Sequence, residues 1–129
     1  MNGRGTSRLR ALALVSGVYD LAIALPMLFM ASTMARLFGS PPPVPPLNAE
    51  LNGVFTLALG VGYFWAAARP DDRRGYLWVA GVLAKGLGAA LFVVDHLARS
   101  SPAPFLLFAF TDGTLAAVSA WLLLRARDQ

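Results

Sequence analysis

The sequence predicts an all-α integral membrane protein, an up-down bundle of four transmembrane helices that forms a single domain over residues 1–129. Apolar residue types make up 57% of the chain and charged types 14%, against roughly 45–50% and about 25% in soluble domains. A soluble domain of this size could not cover its large surface with so few charges. The composition therefore excludes an ordinary cytosolic enzyme, and we expect no nucleic-acid partner.

Four stretches of the chain are nearly free of charge, and short polar or proline-rich segments separate them. They cover positions 11–35, 51–68, 75–94 and 100–124, and together they contain only three charged residues. A hydrocarbon core of about 30 Å needs about 20 apolar residues in a helix, and a backbone in lipid must satisfy its own hydrogen bonds. The sequence therefore predicts transmembrane helices near 9–35, 47–68, 76–98 and 104–125.

The first stretch also has the arginines and small residues that flank a secretory signal peptide. The apolar region of a signal peptide is about 7–15 residues long, whereas this stretch has 25 residues. We therefore interpret it as a transmembrane helix.

The distribution of arginine predicts the orientation in the membrane. Eight arginines belong to the two termini and the second loop, and only Arg36 and Arg99 belong to the other two loops. The eight are Arg4, Arg8, Arg10, Arg69, Arg73, Arg74, Arg125 and Arg127. Because basic loops stay in the cytoplasm, we expect a multi-pass protein of the bacterial plasma membrane with both termini in the cytoplasm.

Three charged residues fall inside the predicted helices. Asp20 and Lys85 are near the centres of the first and third helices, and Asp112 is in the fourth. Each charge exposed to lipid near the bilayer centre costs about 2.5–3.5 kcal/mol, so we expect the three side chains to meet inside the bundle. Intramembrane ionisable groups commonly mark functional sites. The alternative is that the cluster only fixes the register of the helices.

Further polar and aromatic residues share helix faces with these charges or extend towards the outer side of the membrane. Together they predict a pocket with a polar centre between the helices, open or nearly open to the outer leaflet of the membrane. The predicted ligand-binding or proton-relay site comprises Tyr19, Asp20, Asn52, Tyr63, Lys85, Asp95, His96, Phe108 and Asp112.

The residue types needed for most metal and thiol chemistry are missing from the sequence. The chain has no cysteine, which excludes disulfides, thiolate catalysis, zinc fingers and iron–sulfur ligation. His96 with Met27, Met30 and Met34 could bind haem or copper. Because the chain has one histidine, we favour a histidine at the membrane boundary and methionines that fill gaps. We expect neither a metal nor a cofactor.

From about residue 9 to residue 127, the chain resembles the DoxX-like family of small bacterial membrane proteins. The resemblance rests on Gly17-x-x-Asp20, on Gly60-x-x-Tyr63-x-x-Ala66 before Arg69-Pro70, and on Lys85 and Asp112. It implies a four-helix membrane fold and, for some members, a link to quinone or thiol redox metabolism. The layout is also similar to that of the membrane domains of sterol isomerases and of receptors for lipophilic ligands.

Three functions fit these features. The first is the binding of a lipophilic small molecule, such as a quinone, a sterol-like lipid or a pigment, by an accessory protein. The second is a proton-coupled transporter that works as a homo-oligomer. The third is an intramembrane enzyme that moves a proton on a lipid. The expected partners are membrane lipids or a lipophilic small molecule, and the sequence leaves open whether the protein is an enzyme.

Overall fold

The computed structural model describes residues 3–126, which form five helices and one short 3₁₀ turn. The helices are α1 (Gly3–Phe29), α2 (Ala31–Leu37), α3 (Leu47–Ala68), α4 (Arg74–Arg99) and α5 (Leu106–Arg125), and the 3₁₀ turn (Ala103–Phe105) leads into α5. Four helices, α1, α3, α4 and α5 with its 3₁₀ turn, are long and apolar enough to cross a membrane. The predicted all-α bundle with four spans is therefore confirmed. Arg127, one of the eight arginines used to predict orientation, lies outside the described residues.

One end of the bundle, which we call the arginine-rich end, gathers the start of α1, the loop between α3 and α4, and the end of α5. Thr6 Oγ1 donates a hydrogen bond of 2.7 Å to Asp71 Oδ2, and Arg74 donates one of 3.0 Å to the carbonyl of Ala126. Slight desolvation raises the pKa of Asp71, but hydrogen bonds from Thr6 and Arg74 outweigh it and hold that pKa below its usual value. These contacts establish the alternating direction of the four spans.

The opposite end, which we call the proline-rich end, holds the loop between α2 and α3 and the turn between α4 and α5. The first of these segments contains five prolines and a cis Val44–Pro45 bond. The Phe38 ring stacks on the Phe105 ring with centroids 5.4 Å apart, so the two connections lie side by side.

The first predicted span is two helices rather than one. The backbone leaves the helical conformation at Met30, where φ is −140° and ψ is 36°. Pro26 lies one turn earlier inside α1, and it has no N–H to donate to the preceding turn, which weakens the helix there. After the break, α2 lies over the space between the spans at the proline-rich end, where Met34 and Ala35 line a cavity.

Helix α4 contains a π-helical stretch, Leu77–Ala84, that ends immediately before Lys85. Such wider turns are uncommon and often occur at functional sites. Gly81 lies in this stretch, and a Cβ added there would be 3.0 Å from Ser119 Oγ of α5. Glycine thus allows α4 and α5 to pack closely beside the intramembrane charges.

The hydrophobic core cluster lies in the half of the bundle nearest the arginine-rich end. Helix α1 packs mainly on α3, and α4 packs mainly on α5, so the bundle consists of two hairpins. The core cluster that joins them comprises Leu9, Ala13, Tyr63, Ala66, Ala67, Leu77, Ala80, Leu123 and Ala126. Large apolar side chains such as Val18 and Phe110 point outwards and are 61% and 73% exposed, as expected for a surface in contact with lipid.

Candidate functional site: a cavity with a charged floor

A cavity of about 640 Å³ lies between the two hairpins in the half of the bundle nearest the proline-rich end. Its volume falls within the range of about 300–1,000 Å³ that is typical of small-molecule sites. Apolar side chains such as Ile23, Met27 and Leu91 line its walls, and Pro41 and Pro43 of the loop lie at its outer end. The cavity therefore extends from the proline-rich loop towards the middle of the membrane-spanning region.

The floor of the cavity carries the three intramembrane charges. Lys85 Nζ lies 2.5 Å from Asp20 Oδ1 and 3.4 Å from Asp112 Oδ1. The side chains of Asp20 and Lys85 are 4% and 7% exposed, while that of Asp112 is 17% exposed. The structure thus brings the three charges together. Asp20 is the close counter-ion of Lys85, and Asp112 is the more accessible carboxylate.

Two tyrosine rings surround the ammonium group of Lys85. Its Nζ atom lies 4.8 Å from the ring centroid of Tyr19 and 5.5 Å from that of Tyr63, both within the range of cation–π attraction. The Tyr19 hydroxyl bonds to Thr111 Oγ1 over 2.5 Å and ties α1 to α5. Within residues 3–126, the Tyr63 hydroxyl and Ser16 Oγ are buried with no hydrogen-bond partner. Tyr63 belongs to the buried core and does not line the cavity.

The other predicted site residues divide into two groups. Asn52 and Phe108 line the cavity together with Tyr19 and the three charges. Asp95 and His96 do not line it. Asp95 pairs with Arg99 on the same helix over 2.9 Å, and His96 Nδ1 lies 2.7 Å from the carbonyl of Ser101. The functional roles of all these residues stay predictions.

Four phenylalanine rings line the part of the cavity nearest the proline-rich end. The sequence did not predict that these four rings lie together. Phe38 and Phe108 stack with centroids 4.8 Å apart, and Phe92 lies 5.4 Å from Phe108 and 6.3 Å from Phe105. The spacing of Phe105 and Phe108 by three residues was visible in the sequence. The position of Phe38 was not, because it depends on the helix break at Met30.

The chemistry of the cavity combines a polar floor with an aromatic and aliphatic wall. The floor offers an ammonium donor and carboxylate acceptors, and Asn52 and Thr56 add polar groups from α3. Within residues 3–126, no three histidine, aspartate or glutamate side chains lie close enough together to hold a metal ion. The arrangement can orient a molecule that has one polar end and a large apolar part.

Comparison of the chain with protein-family models, with curated proteins and with solved structures gives no match.

Proposed function

We propose that this protein binds a lipophilic small molecule in the cavity between its two hairpins, as a binding or accessory protein of the bacterial plasma membrane. The observation that carries the proposal is the cavity of about 640 Å³, which has charged residues at its floor and apolar walls. The polar end of the ligand lies against Lys85 and Asp112, and its apolar part lies along Phe108 and the other aromatic rings. Quinones, which the resemblance to the DoxX-like family suggests, have this shape, as do amphiphilic ions, so the shape alone does not set the charge of the ligand.

The packing of the bundle favours binding over transport. A transporter needs a path from its central site to both faces of the membrane. At the arginine-rich end, however, the side chains of Leu9, Tyr63, Leu77 and Leu123 are each about 1% exposed and fill the space between the hairpins. The cavity lies towards the proline-rich end, and packed side chains close the arginine-rich end of the described bundle, which is the arrangement expected of a binding site.

Filling the cavity tests this function. Gly88 lines the cavity, and apart from its chain neighbours and the nearby backbone of its own helix, the only atom of residues 3–126 within 4 Å of a Cβ added there is Asp112 Oδ2, at 3.9 Å. We expect Gly88→Leu to fold normally and to lose the bound molecule, because the leucine side chain occupies the ligand's space. Native mass spectrometry from a mild detergent, followed by extraction into organic solvent, measures the co-purified molecule.

Gly75→Leu is the matched control, since a Cβ at Gly75 meets no atom of the described residues within 4 Å beyond its chain neighbours and its own helix, and the residue lies outside the cavity. The wild-type protein and Gly75→Leu should both carry a small molecule that Gly88→Leu lacks. Equal occupancy of the two variants, or a wild-type protein that carries no small molecule, would overturn the proposal.

The proposal includes an orientation with the arginine-rich end in the cytoplasm, because seven arginines of the described chain belong to that end. A reporter enzyme that is active only outside the cytoplasm should therefore give no signal when it is fused to the C-terminus. The same reporter inserted at Pro42, in the proline-rich loop, should give a strong signal. The opposite pattern would reverse the orientation.

A further inference from the structure

The charged floor of the cavity has more negative than positive groups. Two carboxylates, those of Asp20 and Asp112, face the single ammonium group of Lys85, so the fully ionised cluster carries a formal charge of −1. An uncompensated charge is costly away from water, and either a proton or a bound cation removes that cost.

Asp112 is the carboxylate that is placed to receive a cation. Lys85 lies 0.9 Å closer to Asp20 (2.5 Å) than to Asp112 (3.4 Å), and the Asp112 side chain is the more exposed to the cavity. Its Oδ2 atom would lie 3.9 Å from a Cβ added at Gly88, a residue that lines the cavity. The other polar groups near the Asp112 carboxylate are Tyr19 and Asp20 of α1 and Lys85 of α4.

The remainder of the cavity also suits a positive charge. The four phenylalanine rings line the cavity, and aromatic rings attract cations. Among the lining residues, Lys85 is the only basic one in the described chain. The charged side chains near the proline-rich end sum to zero, because the two positive charges of Arg36 and Arg99 are matched by the two negative charges of Glu50 and Asp95. The proline-rich end therefore places no net positive charge in the path of a cation that enters the cavity.

We propose that the ligand of this cavity is a lipophilic cation, an amine or a quaternary onium group that bears large apolar substituents. The positive charge lies against Asp112 and neutralises the cluster, while the apolar groups pack on the phenylalanine rings. The inference rests on the proposed binding function and specifies the chemical class of its ligand.

Two probes of the same shape and opposite charge test this inference. Tetraphenylphosphonium is a cation, and tetraphenylborate is an anion of nearly equal size. The measurement is equilibrium binding to the protein in lipid nanodiscs, with the binding to empty nanodiscs subtracted. The cation should bind at least about tenfold more tightly than the anion, a difference that corresponds to the free energy of one charge-assisted contact. Gly88→Leu should remove this binding, which locates the probe in the cavity.

Asp112→Asn removes the excess negative charge and keeps the Asp20–Lys85 pair, so it should fold and should weaken phosphonium binding by about tenfold. Glu50→Gln is its control, because Glu50 is an exposed carboxylate at the same end of the bundle and does not line the cavity. This variant should bind as the wild type does. If Asp112→Asn fails to fold, the comparison of the two probes on the wild-type protein still tests whether the cavity prefers a cation.

Each result separates this inference from the proposed function. Equal binding of both probes, or unchanged affinity in a folded Asp112→Asn protein, overturns the cation inference and leaves binding in the cavity intact. If neither probe binds while mass spectrometry finds a neutral molecule that Gly88→Leu loses, the inference fails and the proposed function stands. If neither probe binds and no molecule co-purifies, both fail.

Discussion

Asp20→Leu should destabilise the protein by about 3–5 kcal/mol, the usual cost of removing one partner from a buried ion pair. Asp20 Oδ1 is 2.5 Å from Lys85 Nζ, and neither side chain is more than 7% exposed. The substitution leaves the ammonium group with Asp112 alone, at 3.4 Å. Unfolding in mixed detergent micelles, followed by circular dichroism, measures the change in the free energy of unfolding.

Two further variants serve as controls. Asp112→Leu should cost less than Asp20→Leu, because Asp112 is the more distant and the more exposed partner of Lys85. Lys85→Met should cost least, because it removes the cation and leaves two carboxyl groups that can take up protons. An Asp112→Leu protein less stable than Asp20→Leu would contradict the assignment of Asp20 as the main counter-ion.

Lys85→Met also distinguishes a binding role of the cluster from a purely structural one. If the cluster only fixes helix register, the variant should retain its co-purified molecule, because apolar residues often replace buried ion pairs without loss of stability. If Lys85 itself holds the polar end of the ligand, the folded variant should lose that molecule in native mass spectrometry. If the ligand is a cation held by Asp112, Lys85→Met should keep it and Asp112→Asn should lose it.

The spans and the meeting of the charges could be predicted because lipid imposes strict conditions on the chain. A helix must be long and nearly free of charge to cross the bilayer, and for that reason the predicted range 47–68 coincides with α3 (Leu47–Ala68). Charges inside the membrane must pair or face the interior of the bundle, so the contact of Lys85 with Asp20 follows from their depth in two different helices.

The charges predict a pocket with a polar centre, but the walls of the cavity could not be predicted, because in lipid an apolar residue gives no indication of which way it faces. Lipid tails are as apolar as leucine, so both the inner and the outer face of a span can be apolar. The concentration of the core at one end, the π-helical stretch before Lys85 and the break at Met30 depend on contacts between helices. For the same reason Tyr63, a predicted site residue, lies in the core and does not line the cavity.

Gly60→Val should destabilise the protein by about 1–3 kcal/mol, the usual cost of overpacking a tight interface, and should also disrupt ligand binding. A Cβ at Gly60 would lie 3.3 Å from the carbonyl oxygen of Gly17, 3.3 Å from Asp20 Cβ and 2.5 Å from Leu21 Cδ1. The valine therefore forces α1 away from α3 and moves Asp20 relative to Lys85. Thermal unfolding and native mass spectrometry measure the two effects, with Gly75→Val as the control at an open position. A Gly60→Val protein as stable as the control would show that α1 and α3 do not pack this closely, and the position of Asp20 at the cavity floor would then need another explanation.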